Sequence, residues 1–256
     1  MNIFKQFYKS LYSPKDIALF RFQGIGKTIL YVFFLTLISL LPAIYYLSTA
    51  TINGLDAIQN SIKNELPAFQ ISEGTLQSDE KAPIILKKEN VTIIFDSTGT
   101  ANVNEIARSK DTIAILQHEA IVIANGQSQS LPYSMFSDMT FTNEDLLSFL
   151  SSIDSSLVII IPIMVIIIYI LTAGLNFIQI SILAVLGLIL KKLMLRNIQY
   201  RHLWRISAYS ITLPTIFFTV MEGLKTTVPN GALINWFVAY IVLFLAIKEV
   251  PMPKKR

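Results

Sequence analysis

The sequence contains no cysteine and only two histidines among its 256 residues. Without cysteine the chain cannot form disulfides, thiolate metal sites or a cysteine nucleophile. His118 precedes a glutamate, as in the helix of zinc proteases, but that motif needs a second histidine where Val122 stands. His202 lies beyond a long apolar stretch, on the other side of the membrane in the topology predicted below. The sequence therefore predicts no metal site.

Acidic residues are scarce outside one polar stretch. Fourteen of the seventeen acids fall within residues 51–156, which hold only six Lys or Arg and carry a net charge of −8. The rest of the chain has fifteen basic residues against three acids, a net charge of +12. Basic residues beside apolar spans stay in the cytoplasm, whereas an acidic region can be exported. This segregation predicts a multi-pass membrane protein whose basic residues face anionic lipid rather than nucleic acid.

Apolar segments make the chain 53% hydrophobic and only 15% charged, against about 25% charged residues in an average soluble protein. Residues 28–46 are long enough to cross roughly 30 Å of hydrocarbon at about 1.5 Å per residue. A cleaved signal peptide is the alternative, but 27 residues precede this segment, more than the short basic start of a signal peptide. We therefore predict a first span with a cytoplasmic N-terminus.

Residues 157–190 form an uncharged run of 34 residues, too long for one straight span and just long enough for two. A hairpin turning at 173–176 would export the basic residues that follow, against the positive-inside rule. One long helix, tilted or kinked, keeps those residues in the cytoplasm. Two further apolar segments, 206–221 and 232–247, complete a prediction of four crossings, with five crossings as the alternative.

The predicted fold class is a multi-pass α-helical membrane protein with about four transmembrane helices and one inserted extracytoplasmic α+β domain. Both termini are predicted to be cytoplasmic, and residues 51–152 extracellular. The predicted order is a cytoplasmic interfacial amphipathic segment at 1–27, transmembrane helix 1 at 28–50, the α+β domain at 51–152, a long second transmembrane helix at 153–195 (open to a break near 173–176), a basic cytoplasmic loop at 196–205, transmembrane helix 3 at 206–224, a short outer turn at 225–231, transmembrane helix 4 at 232–248 and a basic cytoplasmic tail at 249–256.

Local patterns assign secondary structure within these regions. Apolar residues recur at helical spacing between Ile3 and Tyr12 and predict a helix in the membrane interface, and Ser13-Pro14-Lys15-Asp16 predicts the start of a second helix. In the exported region, the spacing over 55–66 predicts a helix. Apolar runs predict strands at 84–86, 91–95, 112–117 and 120–124. The segment 142–145 predicts the start of a helix that continues into the second span.

The basic loop before the third span holds the residues that best suit contact with lipid. Arg196, Arg201, Trp204 and Arg205 are predicted to lie in the cytoplasmic headgroup layer, where each basic group favours anionic lipid by about 1 kcal/mol. Their charge also sets the topology, and that alone is an equal explanation for their presence.

The second span carries the only other candidate residues. Asn176 and Gln179 are three residues apart and share a helix face, which must look toward protein because unpaired amides are costly in lipid. They are predicted to serve as polar packing between helices or as part of a transport pathway. No residue is predicted to be catalytic, to bind a cofactor or to bind a metal.

Three segments resemble one known family. The opening Phe7-Tyr8-Lys9-Ser10-Leu11-Tyr12-Ser13-Pro14-Lys15 is similar to the family called domain of unknown function 1189, small Gram-positive membrane proteins sometimes labelled maltodextrin-utilisation protein MalA. The segments Ile94-Phe95-Asp96-Ser97-Thr98-Gly99 and Gly126-Gln127-Ser128-Gln129 also resemble it, so that the resemblance covers essentially the whole chain. Residues 177–209 are more weakly similar to Yip-type membrane bundles, which are trafficking and scaffold proteins. The resemblance implies a transporter neighbourhood and carries over no site residue.

We expect a non-enzymatic integral membrane protein that acts as a scaffold, sensor or accessory of a transporter or envelope complex through its extracytoplasmic domain. Its expected partners are membrane lipids and a membrane or cell-surface protein, with no nucleic acid and no cofactor. The alternative is a small-solute carrier or transport component that uses the polar face of the second span. A membrane enzyme is a third class, for which no set of residues can be named.

Overall fold

The computed structural model of the chain describes residues 2–88, 91–101, 111–124 and 126–252. The chain divides into two compact units. The helical unit comprises Met1–Tyr46 and Pro162–Arg256, and the sheet unit comprises Leu47–Ile161. Each unit has its own buried apolar core. The basic residues at 254–256, predicted to form a cytoplasmic tail, lie outside the described residues.

The N-terminal segment folds into two short helices. Helix α1 is Ile3–Ser10 and helix α2 is Pro14–Leu19, followed by one turn of 3-10 helix at Phe20–Phe22. The predicted start of α2 is confirmed, because the Ser13 hydroxyl accepts a hydrogen bond from the Asp16 backbone N–H at 3.3 Å. The Asp16 carboxylate accepts hydrogen bonds from the Lys9 ammonium and the Ser13 hydroxyl, and these bonds lower the pKa of Asp16.

Two helices are far longer than a membrane span. Helix α3 is Ile25–Asn64, with 40 residues, and helix α4 is Asn143–Leu193, with 51 residues. At about 1.5 Å per residue they are roughly 60 and 75 Å long, against about 30 Å of hydrocarbon. Helix α4 continues without a break through 173–176, so the structure has one long helix there and no hairpin. The helix predicted over 55–66 is the end of α3.

The segment predicted as transmembrane helix 3, 206–224, is two helices, and this corrects the prediction of one. Helix α5, Tyr200–Ser210, and helix α6, Thr212–Gly223, meet at Ile211. Pro214 has no N–H to donate to the Ser210 carbonyl, and its ring would clash with that carbonyl in a continuous helix. The Thr212 hydroxyl donates to the Tyr209 carbonyl at 2.8 Å at this break. At roughly 18 Å for its twelve residues, α6 alone is shorter than the hydrocarbon layer.

Helix α7, Gly231–Lys248, is the last helix of the described chain. Within the described ranges, three helices are long and apolar enough to cross a membrane: α3, α4 and α7. A fourth crossing would need α5 and α6 to act together, so the number of crossings stays a prediction. The largest fully buried side chains of the helical unit are Tyr31, Leu35, Ile180, Leu183, Leu203, Ile206, Tyr209, Ile211 and Leu243, with Ile17 from α2.

The strands of the sheet unit form two sheets, an antiparallel sheet of three strands and a mixed sheet of five. The described strands are β1 Phe69–Ser72, β2 Thr75–Ser78, β3 Ile84–Lys87, β4 Thr92–Phe95, β5 Thr112–Ile115, β6 Glu119–Ala124, β7 Gln127–Pro132 and β8 Phe141–Thr142. One sheet has the order β2-β1-β8, and the other has the order β3-β4-β5-β6-β7. Strands β4 and β5 are parallel, and every other described pair is antiparallel.

The four predicted strands correspond to β3, β4, β5 and β6. Strand β7 is absent from the sequence-based prediction because Gln127–Pro132 is mostly serine and glutamine, which have no strong preference for strands. It forms because the hairpin register pairs Ala124 with Gln127, and Gly126 supplies the positive φ of +77° that the intervening turn requires. Pairing with a neighbour, and not local propensity, decides this strand.

The start of α4 confirms the helix predicted from the segment 142–145. The Thr142 backbone N–H donates to the Asp145 carboxylate at 2.9 Å, and the Asp145 N–H donates back to the Thr142 hydroxyl at 3.3 Å. This reciprocal cap satisfies two backbone donors that a helix start leaves unpaired, and it lowers the pKa of Asp145. Asn143 ties the same point to β1, because its side chain accepts from the Phe69 N–H at 2.7 Å.

Candidate functional site

Helix α1 buries two polar residues, Gln6 and Ser10, against the protein. Gln6 and Ser10, one helical turn apart, are 2% and 1% exposed, whereas Phe4, Tyr8 and Tyr12 are each more than 60% exposed. Spacing by four residues places each set on one face of the helix. A helix in water would bury its aromatic face, so the outward face of α1 suits a lipid environment.

Gln6 belongs to a chain of side-chain hydrogen bonds between helices. Its Oε1 accepts from the Tyr209 hydroxyl of α5 at 2.9 Å. The Tyr31 hydroxyl of α3 lies 2.6 Å from Oγ1 of Thr212 in α6. Because Thr212 gives its one proton to the Tyr209 carbonyl, the Tyr31 hydroxyl must be the donor of that pair. The Ser10 hydroxyl donates to the Gln6 backbone carbonyl at 2.8 Å. We call Gln6, Ser10, Tyr31, Tyr209 and Thr212 the polar cluster.

The polar cluster lies among aromatic rings. The ring centroids of Tyr31 and Tyr209 are 4.4 Å apart, and Phe20 packs against Tyr209 at 4.7 Å. Each member of the cluster is at most 2% exposed, and none carries a charged side chain. Buried hydroxyls and amides in such a setting hold helices in a fixed arrangement through hydrogen bonds. The arrangement joins α1, α3, α5 and α6.

The N-terminal segment is tied to α5 at a second point. The backbone carbonyl of Arg21 accepts from His202 Nδ1 at 2.8 Å and from an Arg205 guanidinium N–H at 2.9 Å. A carbonyl oxygen can only accept, so Nδ1 of His202 carries a proton. The Arg21 guanidinium lies 4.2 Å from the centroid of the Phe22 ring, a cation–π contact. The centroids of the Phe22 and His202 rings are 5.9 Å apart.

The predicted headgroup arginines differ in their surroundings. Arg201 is exposed, whereas Arg205 is half-buried. The Arg205 guanidinium donates to the Arg21 carbonyl. Arg196 donates from its guanidinium to the Lys248 carbonyl at the end of α7, at 2.9 Å. Of these three arginines only Arg201 is exposed, and contact with lipid stays a prediction for all three.

Trp204, the aromatic residue of the same prediction, packs against α4. Its indole N–H donates to the Ser181 hydroxyl at 3.2 Å, and its ring stacks on Phe177 with centroids 6.3 Å apart. A tryptophan at the headgroup layer usually leaves its N–H to water or lipid. Here the indole joins two helices.

Asn176 and Gln179 reach different neighbours. The Asn176 amide donates to the Thr36 hydroxyl of α3 at 2.8 Å, and the Gln179 amide donates to the Asn235 carbonyl oxygen of α7 at 2.8 Å. Each residue is half-buried. The structure therefore places both amides against helices of the same unit.

No member of the polar cluster is predicted from the sequence as a functional residue. The apolar residues from Ile3 to Tyr12 predict an amphipathic helix and say nothing about the polar residues between them. Gln6 and Ser10 stand four apart inside that segment, a spacing that puts them on one face. That spacing signals a shared face, but it cannot show which face is buried.

The sheet unit has one buried carboxylate among the described residues, that of Asp96. It follows β4 and accepts hydrogen bonds from the Thr98 backbone N–H at 2.9 Å, the Thr98 hydroxyl at 2.6 Å and the Ala101 N–H at 2.7 Å. Burial raises the pKa of Asp96, but these hydrogen bonds outweigh it and leave the pKa below its ordinary value. Gly99 completes the turn with φ +73°, where an added Cβ would collide with the Gln117 side-chain oxygen.

The described residues contain no group of three or more His, Asp or Glu that could hold a metal ion.

Comparison with known proteins identifies the family of the chain. The family model described as protein of unknown function (DUF1189) matches residues 4–247. No curated protein and no solved structure matches the chain. The family suggested by the sequence resemblance is confirmed, whereas the maltodextrin label and the Yip similarity stay predictions.

Proposed function

The chain belongs to the DUF1189 family, and from this premise we propose that it is a non-enzymatic integral membrane protein acting as a scaffold or accessory of an envelope complex. The helical unit anchors it, and the sheet unit presents a binding surface outside the cell. Three helices long and apolar enough to cross a membrane support the anchor. The net charge of −8 over 51–156 supports export of the sheet unit.

One observation carries the choice of a scaffold. The amides on the long helix α4 bond to Thr36 and Asn235, and the polar cluster bonds within itself. Polar side chains that are satisfied by neighbouring helices stabilise packing, whereas a carrier keeps polar groups available to its solute near the bilayer midplane. A carrier using Asn176 and Gln179 is the alternative, and it would have to break these two bonds during transport.

The topology is tested by cysteine labelling, which the absence of native cysteine makes direct. We expect single cysteines at Asn2 and Gln199 to resist an impermeant maleimide in intact cells, and a cysteine at Ser128 to react. All three positions are exposed, so a lack of labelling reports the side of the membrane and not burial. After the cells are permeabilised, all three should react. Labelling of Gln199 in intact cells would contradict the proposed topology.

The scaffold and carrier readings predict different results for the double change of Asn176 and Gln179 to Leu. For a scaffold we expect a loss of about 0.6–1.7 kcal/mol per hydrogen bond, measured as a lower midpoint of thermal unfolding in detergent. Binding through the sheet unit should be unchanged. Full stability together with loss of solute flux in proteoliposomes would favour the carrier. Ile178→Leu, at an exposed position of the same helix, is the matched control.

A partner of the sheet unit is sought by photo-crosslinking in intact cells. Ile85 and Met135 are 58% and 69% exposed in the sheet unit, and Phe237 is 65% exposed on the apolar helix α7. We expect a photoreactive residue at Ile85 or Met135 to give a discrete protein adduct, identified by mass spectrometry. The same residue at Phe237 should react with lipid. If neither Ile85 nor Met135 gave a protein adduct, the accessory role would be contradicted.

A further inference from the structure

The outer edge of β7 is one of the sheet edges to which no described strand is added. Strand β7 ends the five-stranded sheet, and all six of its residues are exposed. Proteins usually block an edge strand with lysine, with internal proline or with a bulge. Strand β7 has no charged residue, and its one proline stands at its last position. Within the described residues, no strand pairs with this edge.

The register shows which backbone groups face outward. The Tyr133 N–H donates to the His118 carbonyl at 2.9 Å, one step beyond the pair Glu119 and Pro132. Because hydrogen-bonded and non-bonded pairs alternate along an antiparallel ladder, Gln129 and its alternate neighbours bond to β6. Ser128 and Ser130 then direct their N–H and C=O groups to the open edge. Pro132 has the same parity, which is where an edge strand tolerates proline.

The charge of the surroundings selects a type of partner. Residues 111–190 contain no Lys or Arg, and Glu119 and Asp138 lie in or just after the hairpin that includes β7. Two copies of the sheet unit would each bring a net charge of −8 from 51–156, so pairing of β7 with a second copy is disfavoured. An extended segment with lysine or arginine side chains has the complementary charge.

Apolar side chains continue from the end of the same strand. Leu131 is 47% exposed, and Met135 and Met139, which follow it, are 69% and 59% exposed. Methionine adapts its shape to different partners and is common at binding surfaces. An added strand points alternate residues to opposite faces, so it can offer apolar side chains to this region and basic ones to the acids.

We propose that β7 binds an extended basic segment of a partner protein, which adds to the sheet as a sixth strand through the backbone of Ser128 and Ser130. This inference rests on the proposed function and names the surface and the partner chemistry. It needs no covalent step and no cofactor. The affinity comes from main-chain hydrogen bonds, and the specificity comes from the charge and the alternating side chains.

The test uses the full-length protein in a non-ionic detergent and a synthetic six-residue peptide of alternating valine and lysine with blocked ends. Amide hydrogen exchange is read residue by residue. We expect the peptide, at millimolar concentration, to slow exchange of the Ser128 and Ser130 amides several-fold. The Gln129 and Leu131 amides should not change, because they already bond to β6. Slowing of all four equally, or of none, would overturn the proposal.

Three controls separate strand addition from other binding. The same peptide with every amide N-methylated cannot pair, so it should give no protection, and this control needs no change to the protein. A peptide with glutamate in place of lysine should protect at least several-fold less; equal protection would overturn the choice of a basic partner. Ser128→Pro removes an outward N–H and should abolish protection while β6 stays protected, and Ser130→Pro is the second such variant.

A further outcome concerns a second copy of the chain. If concentrating the full-length protein alone slowed the Ser128 and Ser130 amides, β7 would pair with itself and the proposal would fall. Crosslinking in cells separates this inference from the proposed function. Adducts at Gln129 that disappear in Ser128→Pro support both, whereas adducts at Ile85 with none at Gln129 would keep the accessory role and overturn the site on β7.

Discussion

Replacing Asp96 by Ala is expected to destabilise the sheet unit by about 2–4 kcal/mol, because buried donors lose their acceptor. The carboxylate is 1% exposed and accepts from Thr98 and Ala101. Asn is expected to help little, since its amide nitrogen cannot accept from the second backbone N–H. The measurement is the free energy of opening from hydrogen exchange of β4 and β5 amides in the full-length protein. Asp138→Ala, at an exposed acid of the same unit, is the control.

The same carboxylate predicts how stability depends on pH. Its folded pKa lies below the unfolded value of about 3.9, so its contribution is fully present above that value. The contribution is lost as the pH falls from about 4 through the lower folded pKa. Asp96→Asn should therefore flatten the acid side of the stability curve. An unchanged pH dependence in that variant would show that Asp96 is not the group responsible.

Replacing Tyr209 by Ala is expected to be the most damaging single change in the helical unit. The ring is fully buried against Tyr31 and Phe20, and its removal leaves a cavity that costs about 3–5 kcal/mol. Tyr209→Phe keeps the ring and removes only the hydroxyl that donates to Gln6, so it should cost about 0.6–1.7 kcal/mol. Both are measured as the shift in equilibrium unfolding in mixed detergent micelles.

The matched control is Tyr240, which lies on α7 with 36% of its surface exposed. Its changes to Phe and Ala should have small effects. In Tyr209→Phe we also expect faster proteolysis within residues 3–12, because α1 loses a bond that holds its polar face inward. If Phe at position 209 were as costly as Ala, the hydroxyl and not the ring packing would hold the helices together. If neither Tyr209→Phe nor Tyr209→Ala lowered the stability, the polar cluster would not stabilise the unit.

Local chemistry determined several features by itself. Ser13 at the start of α2 and Thr142 with Asp145 at the start of α4 cap their helices with their own side chains, so the sequence around them suffices. For the long uncharged run of 157–190, the charge of the residues that follow favoured one helix over a hairpin turning at 173–176, and one helix is what forms. The positions of β3, β4, β5 and β6 also follow from their own runs of β-branched and apolar residues.

Tertiary packing decided what these local rules leave open. The spacing of Gln6 and Ser10 defines a face of α1, but a tertiary contact, that of Gln6 with the hydroxyl of Tyr209, 203 residues away in the chain, helps to make the inward position of that face favourable. The break at Ile211 needs Pro214, yet the Thr212 hydroxyl at this break finds its partner in Tyr31 of another helix. Strand β7, with its serines and glutamines, exists because β6 lies beside it. In the two helical cases a polar group is satisfied by a residue distant in sequence, and in β7 by the neighbouring strand of its hairpin. The free energy of such a bond exists only once the fold has brought the two groups together.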